Sequence, residues 1–138
     1  MNWGKTYKDI SRGYIKEIFS KYKTYKIKSN ELAEQAESVP STYNWDKPGV
    51  VGTHSNGQAW QKLIEKKTEY DKYLKEIDNV LAVMPGMFKR ILIDYYIRCK
   101  LDISIYLDMG LPERTYYYIK AEAIKAFIDE YIARQITL

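Results

Sequence analysis

The chain has 138 residues, 46% of them hydrophobic, and a formal charge of +4. That length and apolar content suit one domain, or one small domain with an extension, and exclude wholesale disorder. One cysteine, Cys99, and one histidine, His54, exclude a disulfide framework and a Cys-rich zinc site.

No run of about 18 apolar residues is present, so no membrane span is expected, and the start MNWGKTYKDI lacks the apolar stretch of a secretory leader. A reducing, cytoplasmic setting is the expectation. Charge is unevenly spread. Residues 1–30 carry eight basic side chains against Asp9 and Glu17, which leaves the remainder mildly acidic. A basic N-terminal segment points to an acidic partner, nucleic acid first.

In chain order, residues 6–38 are expected to form a helix. Ile18, Tyr22, Tyr25, Ser29, Leu32, Ala36 and Val39 recur at spacings of three and four, and Ile10 and Tyr14 extend that seam toward the N-terminus. Lys5, Lys8, Arg12 and Lys16 fall on the opposite side, and Lys23 and Lys26 continue the stripe. Gly13 weakens this helix by about 1 kcal/mol relative to alanine.

Residues 40–57, with two prolines and three glycines, are expected to be a loop. Ser55 and Gln58 have the spacing of a capping box. A second long helix is expected over 58–84, with Trp60, Leu63, Lys67, Tyr70, Leu74, Ile77, Leu81 and Met84 on its seam. Neither seam is stable in water, since each large side chain gains about 1.5–3 kcal/mol on burial. The two helices are expected to pair antiparallel, within one chain or across a homodimer.

Pro85 ends the second helix. Residues 86–99 then read as a helix with Met87, Phe88, Ile91, Leu92, Tyr95 and Tyr96 on one side. Asp102 is the expected N-cap of a short helix over 103–109 with Ile103, Tyr106 and Leu107 apolar, and Gly110 suits the position after its end. Pro112 opens a last helix running to Arg134, with Tyr116, Ile119, Ala123, Phe127 and Ile128 facing inward.

The expected fold is therefore all-α: a long two-helix hairpin over 1–84, for oligomerisation or partner contact, followed by a DNA-binding unit over 85–138. A short helix, a glycine turn and an amphipathic second helix make a helix-turn-helix pattern, whose second helix reads base edges in the major groove. Its outward N-terminal set is Glu113, Arg114, Tyr117, Tyr118 and Ala121. Arg114 suits guanine O6 and N7, and Glu113 a cytosine amino group. Thr115, Lys120 and Lys125 suit phosphates, as do Ser104 and the stripe Lys5, Lys8, Arg12 and Lys16. Residues 86–138 hold eight basic and seven acidic side chains, so a DNA-binding module there needs attraction from elsewhere, and the stripe is a candidate source.

The order helix, long loop, helix and three short helices, with GLPERTYYYIKAEAIKAF near the end, resembles the late-operon transcriptional regulators of Gram-positive phages of the RinA and ArpU type. The resemblance is most specific over Pro85–Phe127. It implies a helix-turn-helix similar to sigma-factor region four, and a factor that binds double-stranded DNA near late promoters. Such a factor activates packaging, morphogenesis or lysis genes with host RNA polymerase. Pro112 stands where such motifs usually have Ser or Thr, and Tyr118 where a basic residue is frequent.

Other chemistry is sparse. His54 reads as a surface loop residue and Cys99 as a small residue at a helix end. Glu65, Glu69, Glu76 and Asp78 sit among lysines as solvated helix partners. No catalytic residue, metal ligand or cofactor is expected. Two further readings stay open: a small-terminase-like DNA-packaging protein, and a helical adaptor that binds another protein.

Overall fold

The computed structural model describes residues 7–38 and 53–136, with side chains placed over 10–37 and 57–136. Among the described residues all regular structure is helical. The elements are α1 (Tyr7–Ser38), α2 (Thr53–Ala82), α3 (Gly86–Leu92), a π-helical turn Ile93–Ile97, α4 (Asp102–Asp108) and α5 (Glu113–Ile136). No helix among them is long and apolar enough to cross a membrane. α1 passes through Gly13 unbroken. α2 begins at Thr53, so His54 and Ser55 lie inside a helix and not in the expected loop, and Ser55 is not its N-cap. The rest of the loop, Lys5 and Val39 lie outside the described residues.

The chain divides into two compact units. The first combines 1–23 with 76–138, and the second is 24–75. The first unit joins two separate stretches of the chain, and the reason is packing. The N-terminal part of α1 shares a core with α3 and α5. Phe19 stacks on Tyr96, ring centroids 5.3 Å apart, and meets Phe127 at 4.9 Å. Ile15, Ile18, Ile77, Val80, Leu92, Ala123 and Phe127 are buried with them. The seam expected through Ile10 and Tyr14 is accordingly corrected. Both are exposed, and Ser11, Ile15 and Phe19 face inward instead.

The second unit holds parts of α1 and α2 that run antiparallel, with Tyr25 against Tyr73 and Ser29 against Asp71. Its two polar seam members find one partner. The Ser29 hydroxyl donates to Asp71 Oδ1 at 2.5 Å, and Lys67 Nζ lies 2.6 Å from Asp71 Oδ2. Those bonds, Lys67 first, hold the Asp71 carboxyl below its ordinary pKa. A buried serine is therefore satisfied, as buried polar groups must be.

In the first unit α3 widens into the π-helical turn, where the Arg98 amide reaches the Ile93 carbonyl at 2.9 Å. Asp94 is buried there and pairs with Arg98 at 3.2 Å and Arg90 at 3.8 Å. Such wider turns insert one residue into a helix and re-aim the chain beyond it. Met87, expected on the inner side, is exposed; Ile91 and Leu92 are buried.

The turn ends on Cys99, which has a positive φ of 55°. Glycine is the residue that adopts this conformation without steric cost. Cys99→Gly is expected to raise stability by about 1 kcal/mol; an unchanged or lower midpoint in urea unfolding would show the backbone there to be unstrained.

α4 is short and closes with a Schellman motif. Gly110 has φ 67°, the Leu111 amide reaches the Tyr106 carbonyl at 2.9 Å, and the Gly110 amide reaches Leu107 at 3.1 Å. Leu111 then packs with Tyr106 and Ile119 against the buried cluster Ile91, Ile105 and Tyr116. Ile105 is the buried member of α4, whereas the apolar residues Ile103 and Leu107 are exposed. A two-turn helix presents only one narrow face to its neighbours, and Ile105 holds it.

Candidate nucleic-acid interface

α5 opens directly after Pro112, whose carbonyl accepts the Tyr116 amide at 2.9 Å. From that start the helix sorts its residues by face. Tyr116, Lys120, Ala123, Ile124, Phe127 and Ile128 are buried. Glu113, Arg114, Thr115, Tyr117 and Tyr118 are exposed and Ala121 is half-buried. Arg114, Tyr117, Tyr118 and Ala121 follow the three–four spacing of one helix face. Ser104 on α4 and Lys125 on α5 are also exposed.

Lys120 departs from the expected phosphate set. It is 6% exposed, its Nζ lies 2.9 Å from Asp102 Oδ1, and it sits 3.4 Å from the centroid of the Tyr95 ring. Burial pulls its pKa down, and the Asp102 carboxylate partly offsets this. Asp102 in turn is not the N-cap of α4. That position is Leu101, with no side-chain cap. The Asp102 carboxylate instead takes the Lys120 ammonium and the Tyr116 hydroxyl, which donates to Oδ1 at 2.6 Å. One carboxylate thus ties the start of α4 to two successive turns of α5, and fixes how the exposed face of α5 is presented.

Beside this network lies a cleft of about 570 Å³, bordered by α1, the segment after the π-helical turn, and the first turns of α5. It gathers Arg12, Lys16 and Lys23 from α1 with Lys100 and Lys120, against the single carboxylate Asp102. Tyr95, Tyr96 and Tyr117 give it aromatic walls. Arg12 and Lys16 are exposed, and with the buried Lys120 they make three expected phosphate residues that border the same cleft as one expected base reader, Tyr117. Lys8 lies in α1 at a position whose side chain is not among those placed, and Lys5 lies outside the described residues.

Lys100, Tyr95, Tyr96 and Cys99 are cleft residues that sequence reasoning does not single out as a site. Lys100 follows a helix end with no periodicity to assign it a face, and both tyrosines fall within an apolar stripe. Cys99 faces Lys23, whose Nζ donates to the thiol at 3.2 Å.

No protein-family model matches the chain, and no solved structure matches it. Local matches over 54 residues, 39% of the chain, link it to tetrachloroethene reductive dehalogenases. Identity is 37% to a Desulfitobacterium hafniense protein and 35% to one from Dehalobacter restrictus. The chain spans 9% of the length of each. A stretch of that extent assigns neither a family nor an activity.

Proposed function

We propose that the chain is a sequence-specific double-stranded-DNA-binding protein that acts as a transcriptional activator of phage late genes. α4, the Gly110 turn and α5 serve as its helix-turn-helix. The observation that carries the reading is that Arg114, Tyr117 and Tyr118 form an exposed helix face next to a cleft bordered by the basic side chains Arg12 and Lys16. The first group suits base edges, and the second suits the flanking phosphates. Together they supply what the nearly neutral C-terminal sequence lacks alone. Host RNA polymerase is the partner that an activator of this kind would engage, and a homodimer would read two half-sites about one helical turn apart.

The test is selection of bound sequences from a random duplex pool at about physiological salt. An enriched motif is the expected result. Arg114→Ala should then cost about 1–3 kcal/mol on that motif and relax preference at one position. Arg12→Ala with Lys16→Ala should weaken all sequences alike and lower the salt slope by about two. A pool that is not retained even at low salt sinks this reading, and retention without enrichment removes its sequence specificity.

A further inference from the structure

We propose that the cleft bordered by Arg12, Lys16, Lys23 and Lys100 is a nucleotide site, holding phosphate oxygens on those four side chains and a base or sugar against Tyr96 and Tyr117. The charge is uncompensated. None of the four forms a salt bridge with a carboxylate among the described residues. The one carboxylate that borders the cleft, Asp102, is already engaged by Lys120 and the Tyr116 hydroxyl. Lys23 spends a hydrogen bond on a thiol, a weak acceptor that an anion would displace readily. Like charges gathered in one concavity raise the local potential and attract an anion.

The aromatic walls narrow the class. Inorganic phosphate would use only the cations. A nucleotide also covers an open ring, which Tyr117, 39% exposed, offers for stacking. The volume of about 570 Å³ lies in the range of pockets that enclose such a molecule. Arg12 adds a planar fork matched to two phosphate oxygens.

The same chemistry arrives from two sources, a free nucleoside triphosphate or a nucleotide of a DNA strand lying along α5. A nucleotide site in the cleft does not depend on the DNA-binding reading, and the experiment separates the two.

Cys99 borders the cleft, is exposed, and is the single cysteine of the chain, so its alkylation reports occupancy. The rate of Cys99 alkylation by iodoacetamide would be measured on the full chain with ATP, with GTP, with duplex DNA, and with inorganic phosphate at matched ionic strength. Slowing by ATP or GTP beyond that given by inorganic phosphate establishes the free-nucleotide source. Slowing by duplex alone establishes the strand source. In either case the Arg12→Ala, Lys16→Ala double variant, both positions being exposed, should need at least about tenfold more ligand for the same protection. Its helix content by circular dichroism serves as the folding control. Unchanged alkylation in every arm, or protection that the double variant retains in full, overturns the proposal. Nucleotide protection in a chain that retains no duplex removes the DNA-binding reading and keeps the cleft. Duplex binding with Cys99 reacting at its free rate does the reverse.

Discussion

Taking the protein from neutral pH to about 12 is expected to unfold its first unit, with buried tyrosines as the cause. Tyr22 is pushed up from 10.0 to about 12 by burial and by donating its hydroxyl to Asp78 at 2.7 Å. Tyr96 is pushed to about 12, chiefly by burial beneath Phe19. Tyr116, fully buried and bonded to Asp102, is raised further still. A tyrosine whose folded pKa exceeds its unfolded value binds its proton more tightly in the folded state. The stability it contributes is complete below 10.0 and is lost as pH climbs through the folded value. At pH 12, Tyr22 and Tyr96 would each have surrendered about 2 kcal/mol. Tyr116 adds to the loss in the same direction. That sum approaches the entire stability of a small domain, about 5 kcal/mol at the low end.

The measurement is tyrosinate absorbance followed together with helical circular dichroism. A first absorbance step should leave the helices intact, and a second should coincide with loss of helix. A single step for all fourteen tyrosines with helix retained would show that none is held protonated by the fold.

The same tyrosines mark the limit of what periodicity reveals. The spacing of Ile18, Tyr22, Tyr25 and Ser29 locates the face of α1 that meets α2, because a pair of helices needs one stripe each. Continued backward at the same alternation of three and four, that stripe reaches Ile15 and then Ser11, both buried. Stepping back by fours to Tyr14 and Ile10 breaks the alternation and selects two exposed residues. Phe19, beside the stripe, is the added member, because α1 also packs there on Tyr96 and Phe127. Gly110 is legible for the opposite reason, since its conformation is decided locally by the end of α4.

Lys120 is the least legible of all. Its spacing from Tyr116 and Ala123 puts it on the inward stripe, but a charged side chain there argues against burial, and that burial depends on a carboxylate 18 positions earlier. Local pattern carries helix limits, caps and stripes; it carries no information on which distant charge meets which. The cleft is built from such meetings, so Arg12, Lys16, Lys23 and Tyr117 are each visible beforehand, but their convergence on one concavity is not.

That distant meeting sets up the second large effect. Asp102→Ala is expected to destabilise the protein by about 3 kcal/mol, because it strands a buried ammonium and removes the acceptor of a buried hydroxyl. The value sits at the low end for a broken buried pair because the Asp102 side chain is 24% exposed, so water reaches the vacated position. Asp102→Asn keeps an acceptor for the Tyr116 hydroxyl and should cost less. Lys120→Met in the Asp102→Ala background removes the stranded charge and should recover part of the loss, which a double-mutant cycle in urea would show as coupling between the two sites.

The deficit also has a pH signature. Burial already lowers the Lys120 pKa below 10.5, and loss of Asp102 lowers it further. The unfolded chain then holds the extra proton between the two values, so stability in that window rises with pH. The gap between Asp102→Ala and the parent protein should therefore narrow as pH approaches 10.5. Loss of packing alone would leave the gap constant. A constant gap, or none, would mean that water rather than Asp102 compensates Lys120, and that the start of α4 is not tied to α5 by charge.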